Sequence, residues 1–340
     1  NITNLKPKFE NNSLFRKVQN GMNYGLAFYS SQDNIFYLCN LGEYKCNKTT
    51  FNHLQLNKLL VGNYEKQNIK YYFIGNKFDP VNRKYYNAIP NKPNLINPVN
   101  DIFIKKFGNP EIIFKKEKKS IIIKIKNSNE KILFLNSKLN DWNIEVYSND
   151  VNNNKITRSR IDTNLLTGLI TIKDSYMDKL KIYIEGGHHE DSLNIINSFG
   201  SIDNITIKKS FQDAIDFDFS NLRVGEIYVK NSGNDCIDTS AGQYFISKLN
   251  LDNCKDKGIS IGEKSNLKVI DAEIKNSNIA LASKDSSNLF IKNARLKNNN
   301  LCAAAYNKKQ EFGPSFISIP RKLCSKDKLA IQNLSTLELK

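Results

Sequence analysis

A short phrase recurs through the second half of the chain at a constant step. Its copies begin at Asp191, Asp213, Asp235, Lys257, Ile279 and Leu301, so the step is 22 each time. Apolar and polar positions alternate within each copy, which is the period of a β-strand. A repeat of this length is too short for a pair of helices and indicates stacked units that share one core. The spacing therefore predicts a parallel β-helix with about 22 residues per coil.

Two columns of the repeat support this fold. The second position is always small: Ser192, Ala214, Cys236, Gly258, Ala280 and Cys302. The third position is nearly always a branched aliphatic residue: Leu193, Ile215, Ile237, Ile259, Leu281 and, in the last copy, Ala303. Stacked at about 4.8 Å per coil, such columns form a continuous core. We expect the aliphatic column to point inward.

An asparagine recurs just before the phrases, at Asn231, Asn253, Asn276 and Asn298. Asparagine tolerates the left-handed backbone that a sharp corner needs. Asparagine side chains that stack at one corner also join in a hydrogen-bonded ladder. The register predicts both features here, although asparagine is abundant throughout the chain.

The rest of the chain suggests three parts. Residues 1–100 carry no repeat and contain aromatic-rich strand patterns, which predict a β-rich N-terminal cap or small domain. Residues 101–324 are predicted to form the β-helix, with irregular first coils, and residues 325–340 a C-terminal tail or cap. No apolar run is long enough for a membrane span. The sequence begins with Asn1 rather than Met, so we expect a processed or trimmed product.

The formal charge of the chain is +16, with a pI near 9.4. A basic protein of this kind attracts acidic partners, and an acidic polysaccharide is the partner that we expect. The alternative is codon bias, since Lys, Asn and Ile are all in excess. The charge is spread, and no nucleic-acid-binding motif is present, so we expect no nucleic-acid partner. The sequence does not assign an oligomeric state.

The six cysteines favour an oxidising compartment, so we expect an extracellular, cell-surface or periplasmic protein. Cys39 and Cys46 flank a predicted hairpin tip that a disulfide would staple. Cys302 and Cys324 are separated by the same step as the repeat and would stack on neighbouring coils at a distance that suits a disulfide. Cys236 lies in the small column and is interpreted as a packing residue.

Carboxylates accumulate at the polar positions of the repeat. The first position reads Asp191, Asp213, Asp235 and Lys257, and the fourth reads Asn194, Asp216, Asp238 and Ser260. Carboxylates stacked at about 5 Å repel one another, so they bind a cation, share protons or pair with lysine. A Ca²⁺ site is therefore predicted at Asp216, Asp218 and Asp238. The alternative is that aspartates at a corner only cap backbone amides.

Three successive phrases resemble a known family. They are Asp213-Ala-Ile-Asp216, Asn234-Asp-Cys-Ile237 and Lys257-Gly-Ile-Ser-Ile-Gly262. They are similar to the motifs of polygalacturonase-type glycoside hydrolases, which belong to the pectin-lyase-like superfamily. The resemblance implies a right-handed parallel β-helix whose site acts on a uronic-acid-containing polysaccharide.

The resemblance also assigns roles to individual residues. Asp213 and Asp235 match catalytic aspartates of the family, whereas Asn234 stands in place of its general acid and Lys257 in place of its histidine. An inverting hydrolase needs an acid and a base about 6.5–9.5 Å apart. Because Asn234 cannot act as the acid, another residue such as Asp216 would have to serve. In a lyase, Lys257 would be the base, with a pKa lowered by burial, beside Ca²⁺. Lys257 and Asp235 could equally form a plain ion pair.

Cations and an aromatic residue follow one and two coils later, at Lys284, Tyr306, Lys308 and Lys309. These residues suit stacking on a sugar ring and holding its carboxylate. The sequence therefore favours a carbohydrate-active enzyme, a hydrolase or a lyase. The alternative is a non-catalytic β-helix that binds glycans as a scaffold, adhesin or surface-fibre protein.

Overall fold

The structure is a computed structural model that describes strand segments between residues 24 and 99 and the ranges 101–128, 130–148 and 166–340. The chain divides into two compact units. The first comprises Asn1–Lys92 with Lys155–Leu166, and the second comprises Pro93–Asn154 with Thr167–Lys340.

The first unit contains an antiparallel sheet. Its strands are β1 Tyr24–Ser30, β2 Ile35–Asn40, β3 Lys45–Thr49, β4 Leu60–Lys66, β5 Ile69–Asp79 and β6 Lys84–Asn87. The order is β3-β2-β1-β5-β4, and β6 pairs with β5. Cys39 and Cys46 are opposite each other in the β2–β3 register, as the predicted hairpin requires. Their disulfide lies outside what the structure describes and stays a prediction.

The second unit begins with irregular coils, as predicted. Its first strands are β7 Asn94–Val99, β8 Ile102–Phe107, β9 Glu111–Lys115, β10 Ser120–Ile125, β11 Lys131–Leu135, β12 Lys138–Asn140, β13 Asn143–Ser148, β14 Gly168–Lys173 and β15 Tyr176–Glu185. Here β8 pairs antiparallel with β7 and β11, and β9 pairs antiparallel with β10. Parallel pairing begins where β10 meets β13.

Regular coils follow. Their strands are β16 Asp191–Ile196, β17 Phe199–Ser210, β18 Asp213–Ser232, β19 Ile237–Cys254, β20 Lys257–Gly262, β21 Asn266–Lys275, β22 Ile279–Lys284, β23 Asn288–Lys297, β24 Leu301–Tyr306, β25 Phe316–Ile319, β26 Leu329–Ile331 and β27 Thr336–Leu339. Short 3₁₀ helices occupy Lys116–Lys118 and Lys326–Lys328. The last strands, β26 and β27, pair in parallel with β24 and β25, so coil structure continues beyond residue 324.

The aliphatic column forms the centre of the core. Each member pairs in parallel with the next one, in the order Leu193, Ile215, Ile237, Ile259, Leu281 and Ala303. All six are fully buried. The predicted all-β fold, a parallel β-helix whose successive coils follow the step of the repeat, is therefore confirmed.

The small column lies against the opposite wall of the coil. A Cβ atom added at Gly258 would be 2.6 Å from Ile274 Cγ2, so a larger side chain has no room there. Cys236 is buried as expected, but the prediction that it only packs is wrong. It forms a disulfide with Cys254, with a Cα–Cα distance of 5.4 Å, because the chain turns through the coil and brings Cys254, the last residue of β19, back to the residue that precedes β19.

Cys302 and Cys324 also form a disulfide, with a Cα–Cα distance of 5.8 Å. They are separated by 22 residues, which is one coil. The predicted link between neighbouring coils is confirmed.

The asparagine corners have the predicted left-handed backbone. The φ angles of Asn231, Asn253, Asn276 and Asn298 are 65°, 61°, 58° and 55°. The amide of Asn253 donates to Asn231 Oδ1 at 2.8 Å, and that of Asn298 donates to Asn276 Oδ1 at 3.3 Å. Asn276 instead donates to Asp252 Oδ1 at 2.8 Å. The predicted ladder is therefore divided into two pairs.

A second ladder, of buried serines, was not predicted from the sequence. The backbone N–H of Ser175 donates to Ser198 Oγ, and that of Ser198 donates to Ser220 Oγ, both at 3.0 Å. Gly242 follows in this column, paired with Ser220. Because glycine has no hydroxyl, the Tyr244 hydroxyl accepts from Ser220 N instead, at 3.2 Å. These hydroxyls satisfy backbone donors that would otherwise be buried without partners.

Candidate functional site

The partly exposed aspartates lie on one side of the coils. Ile215 and Phe217 are fully buried, whereas Asp216 and Asp218, which alternate with them, are partly exposed. Asp238 is the register partner of Asp216 on the next coil. We call the side of the coils that carries Asp216, Asp218 and Asp238 the carboxylate face.

Asp213 and Asp235 hold the backbone of the coil that follows. Each is only 3% exposed. Asp213 Oδ1 accepts from Asp235 N at 2.8 Å and from Asn234 Nδ2 at 2.7 Å. Asp235 Oδ1 accepts from Lys257 N at 3.0 Å. These contacts are the capping arrangement that the sequence left open as an alternative to catalysis.

Lys257 is engaged in ion pairs. Its Nζ lies 3.3 Å from Asp235 Oδ1 and also donates to the Asp256 carboxylate. Burial alone would lower the pKa of Lys257, but the charges of Asp235 and Asp256 outweigh it, and the pKa is raised. The prediction that burial lowers this pKa is wrong. Because the ammonium keeps its proton at neutral pH, Lys257 is unsuited to act as a base.

The carboxyls at the first position of the repeat, Asp213 and Asp235, have raised pKa values. Burial, followed by the charges of Asp235 and Asp238, raises the pKa of Asp213 to about 7. Burial and Asp238 also raise the pKa of Asp235, while Lys257 opposes the rise. Near neutral pH, Asp213 is therefore divided between its protonated and ionised forms.

Asp216 and Asp238 are neighbours with different surroundings. Although Asp216 is partly exposed as a residue, its Oδ1 is buried and has no hydrogen-bond partner among the described residues. Burial, and then the charges of Asp218 and Asp191, raise its pKa well above the usual range. Asp238 Oδ1 instead accepts from Thr239 N at 3.0 Å.

Lys284 compensates the charge of Asp238. Its Nζ lies 3.5 Å from Asp238 Oδ1, and its side chain is 7% exposed. The carboxylate face therefore offers one carboxyl that favours its proton beside one that has a cationic partner. Such a division of environments is what acid–base chemistry by two carboxyls requires.

The predicted cation ligands are brought to one face but do not converge. Asp218 accepts from Asn194 Nδ2 at 3.1 Å, and Asp216 and Asp238 lie on adjacent coils. Within the described ranges, no group of three or more His, Cys, Asp or Glu side chains has the arrangement of a metal site. Ca²⁺ binding stays a prediction.

Asp191 is the most enclosed carboxyl of the cluster. It is 1% exposed and has no cationic partner in the part of the chain that is described. Burial, opposed only by the nearby Thr167 side chain and reinforced by Asp213, raises its pKa well above the usual range. Burial without a cationic partner favours the neutral acid.

Two of the four predicted substrate-binding residues lie beside the carboxylate face. Lys284 and Tyr306 are register partners on adjacent coils. Burial raises the pKa of the Tyr306 hydroxyl, and the charges of Lys284 and Lys257 oppose that rise, so these side chains share one electrostatic environment.

The other two predicted substrate-binding residues, Lys308 and Lys309, lie near Asp285 and Glu263. The backbone N–H groups of Lys308 and Lys309 donate to Asp285 Oδ1 at 2.6 and 2.8 Å. The ammonium of Lys309 pairs with Glu263, whereas the side chain of Lys308 is exposed. Of these two, only Lys308 keeps its ammonium available for a ligand.

Sequence reasoning missed a groove on another side of the coil. It has a volume of about 590 Å³ and is lined by residues that include Tyr176, Phe199, Arg223 and Phe245. The available signal was aromatic residues at outward strand positions, where polar residues are expected.

The fold defines this chain as a parallel β-helix protein. Comparisons with protein-family models, with curated proteins and with solved structures give no match. No helix within the described residues is long and apolar enough to cross a membrane.

Proposed function

We propose that this β-helix binds an acidic, uronic-acid-containing polysaccharide across the carboxylate face and cleaves it by hydrolysis. The observation that carries the proposal is the pair Asp216 and Asp238. The two residues are in register on adjacent coils; burial raises the pKa of Asp216, whereas Asp238 has a cationic partner in Lys284. The resemblance to polygalacturonase-type enzymes supports the same substrate class.

The pair suits the two roles of a glycosidase. Asp216, with its raised pKa, would protonate the leaving oxygen. Asp238, beside Lys284, would act as the nucleophile and form a glycosyl–enzyme bond, which water activated by Asp216 then hydrolyses. Adjacent coils lie about 4.8 Å apart, which is closer to the 5–5.5 Å of retaining enzymes than to the larger separation of inverting ones. We therefore expect retention of anomeric configuration.

Neighbouring side chains supply the means to hold the substrate. Lys284 would contact a sugar carboxylate, and the partly exposed Tyr306 would stack on a ring. The formal charge of +16 favours encounter with a polyanion. Hydrolysis is favoured over elimination because the raised pKa of Lys257 disqualifies the base that a lyase would need.

A non-catalytic glycan-binding scaffold is the second candidate, and one observation favours it. Asn234 stands at the position of the family's general acid, and its amide donates to Asp213. Asp213 and Asp235, which match catalytic aspartates of the family, cap backbone amides instead. In this alternative, the carboxylate face binds sugars without cleaving them.

The test is incubation with a panel of polyuronates, with new reducing ends and unsaturated products scored separately. Asp216→Asn and Asp238→Asn should each reduce the formation of reducing ends by about 10²–10⁴-fold. Asp203→Asn, at an exposed position of β17, is the matched control and should not change the rate. Unsaturated products would establish a lyase. Binding without cleavage would support the scaffold, and absence of both would overturn the proposal.

A further inference from the structure

We infer that the groove on the neighbouring side of the coils is a second binding site, for an acidic oligosaccharide. It shares its ligand class with the proposed function but uses none of the residues of the carboxylate face. Its volume is about 590 Å³, and its lining includes Tyr176, Phe199, Asn221, Arg223, Gln243 and Phe245.

The groove is formed by successive coils in register. Phe199 pairs with Asn221, which pairs with Gln243, and Arg223 pairs with Phe245. These segments of β18 and β19 follow left-handed corner residues, so they lie on the next side of the coil from the carboxylate face. A ligand that lies along the groove therefore meets an equivalent position every 4.8 Å or so. This rise is comparable to the span of one pyranose ring.

The aromatic residues give the groove an apolar floor for the flat faces of a ligand. Phe199 is 55% exposed, and its ring centroid lies 5.2 Å from that of Tyr176. Exposed aromatic surface of this kind is costly in water, and a ligand that covers it is favoured. The C–H faces of a sugar ring provide such a cover while the hydroxyls remain at the edge.

Arg223 is the cation of the groove that would contact an acidic ligand. Its guanidinium lies 5.6 Å from the Phe245 ring centroid, which holds the cation at the groove. Among the described residues it forms no ion pair, whereas the one carboxylate of the groove, Asp178, accepts from Ser201 Oγ at 2.7 Å. A planar guanidinium beside a ring suits bidentate recognition of a carboxylate.

The remaining polar groups fit the hydroxyls of a sugar. Asn221 and Gln243 are exposed register partners, and each amide both donates and accepts hydrogen bonds. A single-stranded nucleic acid would also stack on aromatic rings, but it carries a phosphate at every residue. The exposed amides of Asn221 and Gln243 repeat at the coil spacing, which suits the hydroxyls of successive sugar rings, and single-stranded DNA is tested as the competing ligand.

The experiment is calorimetric titration with an oligogalacturonate. Phe199→Ala and Arg223→Gln should each weaken binding by about tenfold or more, because stacking and charge-assisted contacts are of that size. Phe211→Ala and Arg295→Gln are the matched controls, since Phe211 is 50% exposed and Arg295 has an 88% exposed side chain, both outside the groove. Equal affinities for all four variants and the wild type would overturn the inference.

Further titrations identify the class of ligand and distinguish the groove from the carboxylate face. A neutral cello-oligosaccharide should bind at least tenfold more weakly, and equal binding would overturn the acidic assignment. Tighter binding of single-stranded DNA would overturn the sugar. In an Asp216→Asn background, which removes the proposed cleavage, groove binding should persist and still depend on Phe199. If affinity is lost in Asp216→Asn but not in Phe199→Ala, the inference fails while the proposed function stands.

Discussion

At the residue scale, Asp213 combines two opposing demands. Its Oδ1 caps the next coil by accepting from Asp235 N and Asn234 Nδ2. These contacts favour the charged form, yet burial and the neighbouring charges of Asp235 and Asp238 outweigh them, and the pKa is about 7. Either protonation state leaves Oδ1 as an acceptor, so the cap does not require the charge.

This arrangement predicts a pH-dependent stability. The folded pKa of Asp213 is about 7 and the ordinary value is 3.8, so the native state binds the proton more tightly than the unfolded chain. The protonated carboxyl therefore contributes its full stabilisation of the fold below about pH 4. This contribution is lost as pH rises towards 7, and stability does not change further above that. Asp213→Asn keeps the acceptor without the charge. Its melting temperature should exceed that of the wild type at pH 8 and vary less between pH 4 and 8.

Asp213→Ala provides the comparison for that prediction. It removes the cap as well as the charge and should cost about 1–2 kcal/mol of unfolding free energy relative to Asp213→Asn at every pH. A wild-type pH profile in Asp213→Asn would show that the carboxyl of Asp213 is not held in its protonated form.

The sequence predicted that carboxylates would gather on these strands, and it identified the aspartates involved. It did not separate Asp213 and Asp235, which cap amides, from Asp216 and Asp238, which face outward. That distinction depends on how the corner rotates the first residue of each strand. The same limit explains Lys257, since two carboxylates around one lysine reverse the effect that burial alone would have on its pKa.

At the element scale, the ladders of polar side chains hold the corners of the coils. The asparagine ladder was predictable because one residue type recurs at one corner. Its division into two pairs follows from a competing acceptor, Asp252, to which the amide of Asn276 donates. The serine ladder escaped prediction because its step varies and because Gly242 interrupts it, with the Tyr244 hydroxyl filling the gap.

The serine ladder predicts a localised loss of stability. Ser198→Ala removes the acceptor of Ser175 N and the donor to Ile196 O. A buried N–H group without a partner costs about 1–3 kcal/mol, and the midpoint of urea unfolding should fall accordingly. The control is Ser240→Ala, at a partly exposed serine, which should stay within about 0.5 kcal/mol of the wild type. Equal losses in the two variants would argue against the ladder.

At the scale of the whole β-helix, each coil is stabilised mainly by its neighbours. The uniform step of the repeat let the sequence predict the regular coils from Asp191 onward. It could not predict the ends, because a terminal coil needs only one matching neighbour. Thus β26 and β27 pair with the preceding coil although the repeat is no longer visible in their sequence.

This organisation predicts that one charge has very different effects at the middle and at the end of the stack. Ile237 is fully buried and pairs with Ile215 below and Ile259 above. Leu337 is partly exposed and pairs with Ile317 of the preceding coil. Ile237→Asp places an unpaired carboxyl in the core, at a cost of about 3–5 kcal/mol or more, and separates the coils on either side.

We expect Ile237→Asp to abolish folding of the β-helix, and Leu337→Asp to loosen only the last coil. Hydrogen exchange followed by mass spectrometry measures both outcomes segment by segment. In Leu337→Asp, the amides of 329–339 should lose protection while those of 191–284 keep it. Loss of protection along the whole helix in Leu337→Asp would mean that the coils unfold as one cooperative unit. Wild-type protection in Ile237→Asp would mean that the aliphatic column is not the core, because a buried charge there could not be tolerated.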